Sequence, residues 1–208
     1  GESPGALSVA DFFAHRESHP VSVNIASYSG HNTLRAKAMG SKPNQIANPE
    51  QINEMKRLLK LDMDAGAIGL ATGLEYDSGI HSDPQEVIDL AKVAGAEGGR
   101  YISHVRSEDR YFWKAVDELI NIGKQAKLPV QISHVKLATR SLWGKVPQLL
   151  ERLNTARSKG VDVTADIYPY TYWQSTLTVL FPERDYNDLK AAEFALTEIS
   201  VPEGLHLT

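Results

Sequence analysis

Short runs of apolar and β-branched residues start near positions 21, 67, 100, 130 and 161, and the last four lie about thirty residues apart with one helical pattern in each gap. Parallel strands need a crossover of a dozen or more residues, usually a helix, and each gap is long enough to supply one. Repetition of this kind belongs to an α/β chain with a parallel sheet. The expected strands cover 21–28, 67–72, 100–105, 130–135 and 161–168. A closed eight-stranded barrel takes about 250 residues, whereas a doubly wound sheet carries a glycine-rich phosphate turn after its first strand. That turn is missing here. The segments after the strands hold His, Lys, Tyr and Glu instead, so the pattern reads as about five βα units of a TIM-type barrel, with fewer strands than a closed barrel needs.

The helical stretches have recognisable starts. Ser8-Val9-Ala10-Asp11 resembles a capping box and opens a helix over 8–18. Asn48-Pro49-Glu50-Gln51 combines a cap, a proline at the first helical position and a capping glutamine, with Ile52, Met55, Leu58, Leu59 and Met63 as the buried stripe and Gly66 as the stop. Asp83-Pro84-Gln85-Glu86 repeats the signal and leads to Gly98. Further helices are expected within 107–127, over 146–159 and, after the last strand, over 186–199. The stretch from Ser29 to Arg35 reads as a polar connecting loop, and its His31 and Arg35 as ordinary loop residues.

Composition narrows the partners. The formal net charge is −4 and the 22 Lys and Arg residues form no cluster, which argues against a nucleic-acid backbone or an anionic membrane. Cysteine is absent, so this chain offers no thiolate ligand and no disulfide. No apolar run approaches the roughly 18 residues of a membrane span, and Gly1-Glu2-Ser3-Pro4 carries neither a basic region nor an apolar signal core, so a cytoplasmic location is expected.

Chemistry concentrates in a doublet, Tyr101-Ile102-Ser103-His104-Val105-Arg106 and Val130-Gln131-Ile132-Ser133-His134-Val135-Lys136. Each ends a short strand in Ser-His-Val and a cation. Adjacent parallel strands lie about 4.8 Å apart, so imidazoles at matching ends can meet on one ion, and zinc suits imidazole and oxygen ligands without thiolate. His104 and His134 are therefore read as a metal pair. Two ligands are too few for a catalytic zinc, which usually takes three, and Glu75, Asp166 or a residue outside the chain are the options for a third. Lys136, two residues past His134 and by strand alternation on the same face, suits an anionic substrate group. Arg106 and Glu108 are read as a structural ion pair. Tyr76, Tyr168, Tyr170 and Ser175 follow strand ends, where they can orient a carbonyl or carboxylate.

Ser29-Gly30-His31-Asn32-Thr33-Leu34-Arg35, the run from Gly66 to Tyr76, the two Ser-His-Val segments and Asp166-Ile167-Tyr168-Pro169-Tyr170 resemble, in order and spacing, the N-acyl-D-amino-acid deacylase (D-aminoacylase) family of the amidohydrolase superfamily. The resemblance runs from about residue 20 to 177. It implies a central portion of a metal-dependent (β/α)8 barrel that removes the acyl group from N-acyl-D-amino acids. It also implies metal binding by His104 and His134, and substrate carboxylate and carbonyl contacts from Tyr76, Lys136, Tyr168 and Ser175, the last after a one-residue insertion following Tyr170. The family's early His-x-His pair, metal-bridging cysteine and late catalytic aspartate have no counterpart here, so the general base is expected outside the chain. Two other readings stand beside it. One is a cyclic-amide or isoaspartyl-dipeptide hydrolase of the same superfamily, which generally needs a carbamylated lysine that Ala67–Thr72 lacks. The other is a catalytically silent binding or scaffolding module. A five-stranded excerpt of a barrel also exposes two strand edges, at 21–28 and 161–168, through which self-association is expected.

Overall fold

The computed structural model describes residues 6–181, together with 183, 185, 187, 199–200 and 206–207. Five parallel strands in sequential order form one sheet: β1 Ser29–Gly30, β2 Gly69–Gly73, β3 Arg100–His104, β4 Val130–Ile132 and β5 Val163–Ala165. The helices are α1 Val9–Ser18, α2 His31–Met39, α3 Pro49–Asp64, α4 Pro84–Ala96, α5 Phe112–Ala126 and α6 Val146–Ser158. A separate antiparallel pair joins β6 Ile199–Ser200 to β7 His206–Leu207. The expected helix over 186–199 falls mostly outside the described residues; within its range Asn187 stands in a turn and Ile199 begins β6.

The core lies between the helices and the sheet. Leu70 of β2, Tyr101 of β3, Val130 and Ile132 of β4 and Val163 of β5 are buried against Leu59 of α3, Leu90 and Ala94 of α4, and Val116, Leu119 and Ile122 of α5. The caps form as their residue types require: Asn48 and Gln51 complete a reciprocal capping box at α3, and the Asp83 carboxylate accepts the Gln85 N–H at α4. Gly69 marks a close approach between strands. Its φ is +150°, and a Cβ there would stand 1.8 Å from the Arg100 carbonyl oxygen, so only glycine fits.

Several expectations change, the fifth strand among them, which runs only over Val163–Ala165 and not 161–168. The alternating run over 21–28 is not paired along its length. β2 begins at Gly69, and contact starts only where the Ile68 N–H reaches the Ser27 carbonyl at 2.9 Å, leaving Val21, Val23 and Ile25 exposed. The expected loop from Ser29 to Arg35 is instead the whole of β1 and the first turns of α2. Its polarity is not a sign of solvent, because His31 and Arg35, one turn apart on the same helix face, are fully buried on Glu86 of α4.

Candidate metal centre

The carboxyl ends of β2 to β5 open on one cleft of about 190 Å³, the end at which parallel α/β proteins collect functional side chains. Eight of its lining residues are candidates singled out from the sequence: Glu75, Tyr76, His104, His134, Lys136, Tyr168, Tyr170 and Ser175. Among the described residues, His104, Glu108 and His134 form a group whose ligand atoms all lie within 4.8 Å of one another.

The two histidines do not reach each other by simple strand matching. Ser103 pairs with Ile132, so His104 is level with Ser133, and His134 lies one residue further on. In a regular strand that offset would send the two imidazoles to opposite faces. The chain corrects the parity at His134, whose φ of +38° is a left-handed conformation that histidine adopts more readily than most residues. β4 accordingly ends at Ile132, short of the expected 135. After the turn, His134 Nε2 stands 3.1 Å from His104 Nδ1.

The outward nitrogens decide what the inward ones present. His104 Nε2 lies 2.7 Å from Glu75 Oε2, and His134 Nδ1 lies 3.2 Å from Glu108 Oε1. At His104 the carboxylate fixes N–H on Nε2, which turns the Nδ1 lone pair toward His134 Nε2, while at His134 both Glu108 Oε1 and the Lys136 ammonium lie against Nδ1. The two facing nitrogens can share a proton or a cation. On a tetrahedral zinc with nitrogens at 2.0–2.1 Å, two imidazole nitrogens stand roughly 3.3 Å apart, close to the separation found here. The donor set therefore fits a metal ion.

Glu108 is held in place by the loop that carries it. Ser107 Oγ lies 2.5 Å from Asp109 Oδ1 and accepts the N–H groups of Asp109 and Tyr111, and the Glu108 N–H donates to Glu75 Oε1 at 3.3 Å. The expected pairing of Arg106 with Glu108 does not form. Arg106 instead binds Glu118 of α5, with Nη2 to Oε1 at 2.8 Å, and donates to the Gly79 and Ile80 carbonyls. That leaves Glu108 to the site, where Lys136 Nζ contacts its oxygens at 2.5 and 2.6 Å and His134 Nδ1 at 3.0 Å. Lys136 and His134 thus line the same cleft by way of the turn and not of strand alternation. Asp166 has both carboxylate oxygens occupied by donors, the His134 N–H on Oδ1 and the Gln131 amide on Oδ2, each at 2.5 Å. Of the three options for a further ligand it is the poorest, and Glu108, which residue spacing did not single out, is the carboxylate that groups with both histidines. The signal available in sequence was only its place in an acidic pair four residues past a strand-end histidine.

Electrostatics follow from this packing. Burial, foremost, raises the Glu75 carboxyl above its ordinary range. Burial also pushes Glu108 upward, but the hydrogen bond with His134 and the charges of His104 and Lys136 outweigh it and leave Glu108 lowered. The hydrogen bond to Glu108 is the main reason that His134 is raised. At the rim, the Tyr168 ring lies 5.4 Å from Lys136 Nζ, and its buried hydroxyl has no hydrogen-bond partner among the described residues.

No family model matches the chain. A curated protein, the N-acyl-D-glutamate deacylase of Alcaligenes xylosoxydans xylosoxydans, is 37% identical over 184 residues, which is 88% of this chain and 37% of that protein. Among solved structures, the N-acyl-D-glutamate deacylase of Bordetella bronchiseptica, complexed with zinc and a phosphonate inhibitor that mimics the tetrahedral intermediate, superposes with a TM-score of 0.77 at 33% identity, over 82% of this chain and 36% of that one. A D-aminoacylase whose structure defines a subset of amidohydrolases superposes with a TM-score of 0.74 at 31% identity, over 78% and 34%. This chain spans about a third of the length of each. Sequence and fold agree that the chain is homologous to a part of the N-acyl-D-amino-acid deacylases, within the amidohydrolases.

Proposed function

We propose that this chain is the central part of a zinc-dependent hydrolase of N-acyl-D-amino acids, in which His104 and His134 hold the metal and Tyr76, Lys136, Tyr168 and Ser175 hold the substrate. The observation that carries the reading is the pair of inward nitrogens 3.1 Å apart, each imidazole backed by a carboxylate. The zinc-complexed deacylase of the same fold supports the choice of metal. A bound zinc polarises a carbonyl oxygen and lowers the pKa of its water to about 7. The protein's own part is orientation. Glu75 fixes the His104 tautomer, Glu108 braces Lys136 and the outer edge of His134, Lys136 presents an ammonium to the substrate's α-carboxylate, and the Tyr168 hydroxyl offers a hydrogen bond beside it. No residue of the described cleft is assigned the general base, which this reading places elsewhere in the full-length protein. β2 contains no lysine, so the carbamylated-lysine chemistry of the cyclic-amide hydrolases has no support here.

The same proposal treats residues 1–208 as one partial barrel domain that self-associates when separated from the rest. Neither β1 nor β5 has a partner on its outer side within the five-stranded sheet. The test of function is turnover by the full-length protein: hydrolysis of N-acyl-D-amino acids over their L-enantiomers, lost on zinc removal and lost again in His134→Ala. Equal turnover in His134→Ala, at full zinc content, contradicts the assignment.

A further inference from the structure

We infer that Asp166 is a positioning residue for the metal centre: its carboxylate takes the one backbone N–H that the turn at His134 removes from the sheet, and so holds that turn in place. The inference rests on the proposed role of His134 as a ligand.

The argument comes from the ladder between β4 and β5. Ile132 pairs with Ala165, and the Asp166 N–H donates to the Ile132 carbonyl at 3.1 Å. Regular parallel pairing then requires the Asp166 carbonyl to accept from the N–H of His134. It accepts instead from Val135, at 2.8 Å. One residue has been inserted, which is a bulge, and its extra residue loses its place in the ladder. That residue is His134, with φ at +38°. Its orphaned N–H is 2.5 Å from Asp166 Oδ1, while Oδ2 accepts the Gln131 amide at 2.5 Å and fixes the carboxylate plane. A single residue thus fills the gap in the ladder with its side chain and continues it with its backbone. The same bulge corrects the parity that would otherwise turn His134 away from His104. Without the carboxylate, His134 loses the contact that favours its left-handed backbone over the regular strand, in which its imidazole faces the other way.

The experiment measures zinc affinity of the full-length protein by competition with a chromogenic chelator, with thermal melting recorded alongside. Asp166→Ala is expected to weaken zinc binding by about 10- to 100-fold, the usual effect of removing a group that orients a ligand. Asp166→Asn keeps an oxygen for the His134 N–H, and Gln131 can turn its amide to match, so it is expected to restore affinity to near wild type. Wild-type affinity in Asp166→Ala would overturn the inference, as would an Asp166→Asn protein as weak as Asp166→Ala. If Asp166→Ala does not fold, Asp166→Ser, whose hydroxyl stops short of the His134 N–H, carries the same expectation. His134→Ala separates the two claims. If it keeps its zinc, the ligand assignment has failed; if it loses zinc while Asp166→Ala retains full affinity, only the positioning role has failed.

Discussion

Lys136 faces the cleft already paired, because Glu108 holds its ammonium with both oxygens. A substrate carboxylate must therefore share or replace that contact, and binding measures the difference between two anions on one cation. Lys136→Ala removes a charge-assisted bond worth about 1.5–3 kcal/mol, so KM is expected to rise by about 10- to 100-fold with a smaller change in kcat. Steady-state kinetics with an α-carboxamide analogue checks it: an equal loss on the analogue shows that Lys136 does not meet the carboxylate. The residues that ended strands, His104, His134 and Lys136, were legible because strand ends are where such sites collect. Glu108 was not, since the cation it was expected to pair with, Arg106, is committed to Glu118 of α5, and only the fold shows that. A buried site apart from the metal gives a second check. Tyr101 bonds Thr72 at 2.7 Å, and burial pushes its phenol up to about 12, so an absorbance titration should find one tyrosine ionising only near that value.

The repeat of strand and helix was plain from spacing and caps, and the five strands lie in the expected order. What spacing alone missed is α2, whose buried face mixes His31 and Arg35 with Leu34 and Met39. His31, Arg35 and Glu86 form a fully buried cluster that joins α2 to α4, with Arg35 Nη1 on the two Glu86 oxygens at 2.6 Å and His31 Nε2 on Oε1 at 2.7 Å. Arg35 also donates to the Pro43 and Gln45 carbonyls, which ties down the chain after α2. Glu86→Gln leaves a buried guanidinium without its counter-charge and should cost about 3–5 kcal/mol in urea unfolding. Its pH behaviour has a fixed sign. Burial, foremost, lowers His31, so below about pH 6.5 the unfolded chain takes up a proton that the folded chain resists, and stability falls. Burial alone would raise Glu86, but the bonds from His31 and Arg35 leave it lowered, so its contribution is present above about pH 4.3 and is lost as pH falls through its folded value. Both act in one direction, against the raised His134 and Glu75, so the cluster's own share of the urea midpoint should fall from about pH 6.5 downward; a midpoint loss in Glu86→Gln that is as large at pH 4 as at pH 6.5 contradicts it. Gly69→Ala should destabilise the β2–β3 pairing more severely than an ordinary surface change, since its Cβ meets backbone.

As a whole the molecule is a five-stranded sheet with its site at one end and two outer edges. The alternating residues 21–28 were read as a full strand because their apolar side suits a buried face, yet Val23 is 71% exposed, since nothing among the described residues covers it. Light scattering after size exclusion tests whether residues 1–208 alone associate; a stable monomer contradicts that part of the proposal. The central claim is that His104 and His134 share one metal, and anomalous diffraction at the zinc edge from crystals of the full-length protein tests it most directly. The predicted result is a peak about 2.0–2.1 Å from both His104 Nδ1 and His134 Nε2. Zinc bound elsewhere, with the two imidazoles still in direct contact at the distance seen here, would contradict it.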